Sequence, residues 1–375
     1  MQGRGEGLKE IGYMDCPGGG QIVVENGIAY VGHIEGGVGT GIYDVRDPKR
    51  PRELARIEIP AGMHAHKVRV GNGLMVVNRE FLGEKADGSG DGMAGGIGIY
   101  DIADPARPRE IHHWETAGKG VHRFDFDGRY AYLSPTVAGY VGNIMMILDL
   151  GDPARPREVS RWWMPGQWTD GGESPSWKGT AHRCHHPLRQ GDRLYVSYWH
   201  GGFVILDIAD MRRPRFVSGL DWSPPFPWPT HTALPIPFTI RGRKLLVVAD
   251  EDVARLTADA FPSFLWLVDI TEETRPTPFA SFQLAEIDGS PQPSFTGCHQ
   301  PCEIVTGSEI PTAWFAHGLK IVDIAQPHAP RQVASYMPPV PNGSDRVQSN
   351  DVTVDRDGRL YLLDRKRGFW ILERG

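Results

Sequence analysis

Fourteen histidines are spread through 375 residues, and some of them recur at a regular interval: His66, His122, His186 with its neighbours His182 and His185, His231 and His299. At the matching places towards the two ends stand Gln21 and Asn350. Neutral imidazole is the commonest protein ligand for zinc, iron, copper and nickel. Imidazoles carried to one place would therefore make a metal site, with His66, His122, His186, His231 and His299 as the candidate ligands. Spacing alone does not choose among His182, His185 and His186. Carboxylates are expected beside them: Glu80 and the run Asp250-Glu251-Asp252 at the ends of second strands, with Glu303, four residues after His299, and Asp351, beside Asn350, as further candidates. Such acids orient liganded imidazoles from behind, ligate directly or move protons. Glu80, Glu251 and Glu303 are the candidate catalytic acids. The competing reading is a wet channel whose histidines bond only backbone and water.

Two long stretches rich in Trp and Pro lead into these histidines. One runs from Trp162-Trp163-Met164-Pro165 through Trp168 and Trp177 to His182; the other is 222–229, ending at Thr230-His231. Rigid aromatic side chains shape an apolar pocket at low entropic cost. Trp168, Trp177, Trp199, Trp228 and Phe226 are the candidate substrate-binding residues, whereas Trp162 and Trp266 are expected to pack between structural units. Two glycine-rich stretches, 83–96 and 166–172, are candidate lids. Cys298-His299-Gln300-Pro301-Cys302 has no second cysteine pair to complete a zinc site, so both thiols are expected to pack as small buried groups.

What must position these residues is an internal repeat. The phrase Gly41-Ile-Tyr-Asp-Val45 returns as Ile99-Tyr-Asp-Ile102, Ile147-Leu-Asp-Leu150, Ile205-Leu-Asp-Ile208, Leu267-Val-Asp-Ile270 and Ile321-Val-Asp-Ile324, with a degenerate copy at Trp370-Ile-Leu-Glu373. The marker acids Asp44, Asp101, Asp149, Asp207, Asp269, Asp323 and Glu373 lie 48 to 62 residues apart. In the first three copies an Arg-Pro-Arg-Glu phrase follows, at 50–53, 107–110 and 155–158. Each copy holds about four short apolar-alternating runs separated by turn residues, the pattern of a four-stranded antiparallel sheet. Seven such sheets predict an all-β, seven-bladed β-propeller occupying 1–375 as a single domain. The last copy lacks an outer strand, while residues 8–15 read as an outer strand without a sheet. They are predicted to complete the last blade and remove its open edge.

The marker phrase resembles the LVIVD-repeat family, whose members are β-propellers. That resemblance implies the fold and little about activity, because propellers host unrelated functions. The layout is also similar to that of carotenoid-cleaving oxygenases, seven-bladed with an axial all-His iron, although the motifs of that family are not visible here.

Composition bounds the rest. Hydrophobic residues make up 40% and charged residues 23%, which excludes a disordered chain, and 46 Gly with 31 Pro suit many tight turns. A net charge of −6 gives no bulk attraction to nucleic acid or an acidic membrane. No long apolar run or signal core is present, and four cysteines do not make a disulfide framework, so a soluble cytoplasmic protein is expected. The expected function is a metal-dependent enzyme acting on a small apolar or aromatic molecule at the histidine cluster. Iron or copper with oxidative chemistry leads, zinc being the other metal. A metal-dependent hydrolase, lyase or isomerase is the alternative, and a non-catalytic interaction scaffold the third reading. Neither nucleic acid nor membrane is an expected partner.

Overall fold

A computed structural model of the chain describes residues 3–83, 94–177, 182–223, 225–253, 261–287 and 295–375. The fourth blade shows how one repeat folds. Cys184–Gln190, Arg193–Tyr198, Phe203–Asp207 and Arg215–Leu220 pair antiparallel in that order. The marker phrase is the third strand, and its apolar residues Phe203, Val204, Ile205 and Leu206 are all buried. A strand covered on both faces must be apolar without alternation, which is why the phrase is so uniform.

The acid that ends the phrase is a clamp. Asp207 accepts the Ala209 amide at 2.9 Å, turning the chain, and the Arg215 guanidinium at 3.0 Å, which fixes the start of the outer strand. The same pair eight residues apart recurs as Asp44–Arg52 at 3.1 Å, Asp101–Arg109 at 2.9 Å and Asp323–Arg331 at 3.5 Å. This is the structural work of the Arg-Pro-Arg-Glu phrase. In the fifth blade Thr277 replaces the arginine, and Arg243 reaches Asp269 instead.

Seven such sheets make an all-β, seven-bladed propeller. The other inner strands are Gly19–Glu25, Val68–Gly71, Val121–Phe126, Thr230–Pro235, Gln300–Pro301 and Ser349–Val354. The last blade is completed from the N-terminus, as its missing strand predicts. Leu8–Pro17 pairs antiparallel with Arg367–Arg374, from Leu8 opposite Arg374 to Pro17 opposite Arg367. Leu8 enters a core with Leu360, Trp370 and Leu372. Arg4–Glu6 adds a fifth strand beyond Arg331–Met337, a pairing the sequence does not announce.

By compactness the chain divides into two units. One comprises 1–29, 43–52 and 222–375, here the terminal unit; the other comprises 30–42 and 53–221, here the central unit.

Two glycines make the tight entry to the marker strand possible. Gly202 has φ 65° and Gly39 φ 78°, and a Cβ on either would lie 1.8 Å from the carbonyl oxygen of Leu220 or Ile57. Backbone cannot yield as a flexible side chain does. Gly202→Ala is therefore expected to cost at least about 2 kcal/mol. A urea melt matching wild type would show that the outer strand moves aside.

Candidate metal centre

The inner strands carry a local irregularity that the sequence hides. The ladder slips between Cys184 and His186, between Thr230 and Thr232, and between Ser349 and Asp351, leaving His185, His231 and Asn350 as the bulged residues. A similar slip between Val121 and Phe124 spans His122. A β-bulge re-aims the side chain it carries. Register thus puts His185, rather than His186, at the position of His231 and Asn350. His186 stays in the ladder opposite Ser197, with Nε2 3.5 Å from Arg69 Nη2.

In the terminal unit the bulge aims His231 at Glu251, and His299 meets the same carboxylate. His299 Nε2 lies 3.2 Å from Glu251 Oε1, and His231 Nε2 lies 3.9 Å from Glu251 Oε2. The two imidazole centroids are 4.1 Å apart, and all three residues are buried. The bonds behind them fix their tautomers. His299 Nδ1 faces the Asn350 carbonyl oxygen, which can only accept, so that nitrogen carries the proton. His231 Nδ1 lies 2.9 Å from Thr232 Oγ1. That hydroxyl donates to Gln300 Oε1 at 2.9 Å, while the Gln300 amide nitrogen is turned to Glu303 Oε1 at 2.9 Å and the Pro301 carbonyl at 2.8 Å. With its own proton spent on Gln300, Thr232 accepts from His231 Nδ1. In both neutral rings Nε2 then presents a lone pair to a carboxylate. Two imidazole nitrogens and a carboxylate turned towards one another are a donor set that a metal ion or a shared proton can hold. Imidazoles held through Nδ1–H with Nε2 offered inward are the usual preparation of metal ligands.

Glu251 is held as firmly. Its amide donates to the Pro229 carbonyl at 2.8 Å; Asp250 accepts from Thr230 at 3.0 Å and from Trp266 Nε1 at 2.7 Å, and Asp252 accepts the Gly297 amide at 3.1 Å. Phe315 stacks on His299 with centroids 4.4 Å apart and meets Phe295 edge-on. This apolar wall went unnoticed in the sequence, as did Thr232 and Gln300. A hydroxyl directly after a histidine and a glutamine directly after another were the available signals, both too common to stand out. Glu303 sits at the far end of the tether rather than beside the imidazole nitrogens that face Glu251.

A second cluster lies in the central unit. Ligand atoms of His64, His66 and Glu80 fall within 4.8 Å of one another, so this triad could hold a metal ion. Its hydrogen bonds differ in kind. Glu80 Oε2 accepts from His64 Nε2 at 2.8 Å and from His122 Nδ1 at 2.8 Å. Asn78, oriented by the Lys67 amide on its Oδ1, turns its nitrogen to His66 Nδ1 at 3.2 Å, which leaves the His66 proton on Nε2. Here donors meet acceptors without an ion. Burial would raise the Glu80 carboxyl, but the charge and hydrogen bonds of His122 and His64 outweigh it and hold the group well below the usual carboxylate range. Burial holds His122 below the ordinary imidazole value. The His122 and His185 rings approach to 5.0 Å, and Trp199 flanks His185 at 4.8 Å with the Arg183 guanidinium over its face.

The aromatic stretches divide by role. Trp177 stacks flat on His182 at 4.8 Å. Trp168, partly exposed, packs with Tyr140 and Trp163. Trp163 and Trp162 join Met164, Pro165, Phe216 and Leu220 around a solvent-open groove of about 450 Å³. Trp162 packs between the third and fourth blades, edge-on to Tyr198 and parallel to Phe216, as expected. Trp266 stacks on Trp222 and is met edge-on by Phe226. Trp228 is buried and donates to the Phe261 carbonyl. Of the two glycine-rich stretches, 84–93 lies outside the described residues. The other is tied by Glu173, which accepts the Gly166 amide at 2.8 Å and the Trp168 amide at 3.2 Å, a bond pattern opposed to a lid. Cys298 and Cys302 are buried thiols, and burial pushes Cys302 up to about 12, so neither is prepared as a zinc thiolate.

Beside this network, burial and then the Arg183 charge press His200 down to about 4. The folded protein keeps this ring neutral while the unfolded chain protonates it below about pH 6.5. Stability is therefore expected to fall as pH drops from about 6.5 towards 4. His200→Gln should flatten that part of a stability–pH curve; an unchanged slope would remove His200 as its source.

Comparison with known proteins agrees with the repeat. Residues 190–220 match the LVIVD repeat model. The chain carries an LVIVD repeat. No curated protein matches this LVIVD-repeat chain in sequence. Among solved structures, the Pseudomonas aeruginosa periplasmic gluconolactonase aligns over 89% of this chain and 88% of its own, at 13% identity and TM-score 0.63. The Myceliophteria thermophila Cps50 (Swd1) β-propeller domain aligns over 97% and 99%, at 11% identity and TM-score 0.61. The C-terminal WD40 domain of Sif2 aligns over 97% of each, at 10% identity and TM-score 0.57. These likenesses are of fold.

Proposed function

We propose that this propeller is a metal-dependent enzyme whose metal is held by His231, His299 and Glu251. The observation that carries the reading is the geometry of the two buried imidazoles: each is tethered at Nδ1 and turns Nε2 to one buried carboxylate. Two imidazoles and one carboxylate are the donor set of non-haem iron oxygenases, and imidazole suits copper and zinc as well. Iron or copper bound there would supply oxidative chemistry. The protein's own part is to hold the two rings by the Asn350 carbonyl and the Thr232–Gln300–Glu303 chain, to brace Glu251 between two anchored aspartates, and to keep water off one side with Phe315 and Phe295. That wall suits a small apolar or aromatic substrate. A cytoplasmic location, where thiols stay reduced, belongs to the same reading, and all four cysteines are buried thiols.

A hydrolytic or isomerising enzyme with zinc or iron on the same residues is the second reading. It is supported by a structural neighbour named as a gluconolactonase, a propeller of the same architecture. Metal analysis with aerobic and anaerobic spectra of the purified protein separates them. One equivalent of a redox metal with oxygen-dependent spectral change supports the first; zinc supports the second. Failure to take up any metal after supplementation would refute both and leave an interaction scaffold.

A further inference from the structure

The hairpin between Leu360–Asp364 and Arg367–Arg374 carries three cations in a row, Arg365, Lys366 and Arg367. Lys366 and Arg367 are exposed, and Arg367 pairs with Asp15. Arg365 is turned inward. The buried Asp364 carboxylate fixes the turn by accepting the amides of Gln348 and Lys366, each at 2.7 Å, and the Arg365 amide donates to the Gln348 carbonyl at 2.7 Å. Arg365 Nη1 then donates to Asn350 Oδ1 at 3.0 Å, while Asn350 Nδ2 donates to the Gly20 carbonyl at 2.9 Å. A guanidinium cannot accept and a carbonyl cannot donate, so the two bonds together fix the orientation of the Asn350 amide. Asn350 is the bulged residue of its strand, and its own carbonyl takes the His299 Nδ1 proton.

The same guanidinium reaches His299 by a second route. Its Cζ lies 5.1 Å over the Phe295 ring, Phe295 meets Phe315 edge-on at 5.3 Å, and Phe315 stacks on the His299 imidazole at 4.4 Å. Phe295 holds φ 61°, a conformation costly for a bulky residue and kept only where the surroundings over-determine it. Drawing a cation out of water is also costly. Burial presses Arg365 below the ordinary guanidinium value, against the charges of Glu251 and then Asp364. Both contacts, with Asn350 and with Phe295, lead to one imidazole.

We propose that Arg365 is a positioning residue of the metal centre: by orienting Asn350 it keeps the acceptor of the His299 Nδ1 proton in place and so holds His299 Nε2 turned to Glu251. Its effect on a metal rests on the reading of His231, His299 and Glu251 as ligands; its effect on the His299 tautomer belongs to the metal-free protein.

The test compares full-length wild type with Arg365→Met, Arg365→Lys and Lys366→Met, metal-free and titrated with cobalt(II). Nitrogen chemical shifts of the His299 ring, assigned through His299→Gln, report its tautomer, and the visible band of bound cobalt(II) reports the ligand field. Wild-type His299 is expected to carry its proton on Nδ1. Arg365→Met should mix the two tautomers, weaken cobalt(II) binding at least about tenfold and shift the band. Arg365→Lys, which can still donate to Asn350 Oδ1, should recover most of the loss, and Lys366→Met should match wild type. Equal cobalt(II) affinity and an identical band in wild type and Arg365→Met would overturn the proposal and leave the metal reading standing. A wild type that binds no cobalt(II) would remove the metal reading, and the tautomer then decides: mixing in Arg365→Met supports the positioning role, and an unchanged ring overturns it. Should Arg365→Met fail to fold, the shorter Arg365→Gln takes its place, and a wild-type His299 protonated on Nε2 overturns the proposal without any variant.

Discussion

Glu251→Gln is expected to lower affinity for a divalent transition metal at least about 100-fold, while Glu80→Gln leaves it within about threefold. The two glutamates look alike, each at the end of the second strand of a blade and each facing two histidines. Their hydrogen bonds separate them. Glu80 receives protons from both of its imidazoles, so Gln can still accept one bond, and the loss is in stability, about 1–2 kcal/mol. Glu251 faces the Nε2 atoms of His231 and His299 at 3.9 and 3.2 Å, and an amide brings neither the charge nor the second anionic oxygen. Metal titration monitored by competition with a chromophoric chelator, alongside urea melts, measures both quantities. Loss of metal in the Glu80 variant with retention in the Glu251 variant would move the centre to the central unit.

Deleting residues 1–17 is expected to abolish cooperative unfolding. The strand Leu8–Pro17 covers Arg367–Arg374, and without it Trp370, Ile371 and Leu372, all now buried, would meet water along an open strand edge. Each such side chain contributes about 1.5–3 kcal/mol when buried. Together with Leu8 and the ladder itself, the loss is comparable to the whole stability of a typical domain, about 5–15 kcal/mol. A synthetic peptide of residues 1–17 added in trans should restore the transition in part, because the surface it covers belongs to the other end of the chain. A truncated protein melting within a few degrees of the full-length one would show that the seventh blade is stable with three strands.

The architecture was legible in the sequence because a propeller writes itself repeatedly. Most marker strands are apolar on both faces and end in an aspartate paired with an arginine eight residues on, so the repeat is a local requirement visible without coordinates. The unpaired strand at residues 8–15 could be matched to the deficient last copy for the same reason. Recurrence of histidine at the inner strands was legible too. What the histidines bond was not. His185 and His186 are adjacent letters, and only a slip in the ladder decides which leaves the sheet. The tautomers of His231 and His299 depend on the Asn350 carbonyl and on the Thr232–Gln300–Glu303 chain, partners drawn from different blades. Composition and spacing therefore determined the blades and the supply of imidazole and carboxylate. Tertiary structure alone decided which carboxylate meets lone pairs and which meets protons, because a hydrogen bond's direction is set by the group at its far end, and that group is distant in the chain.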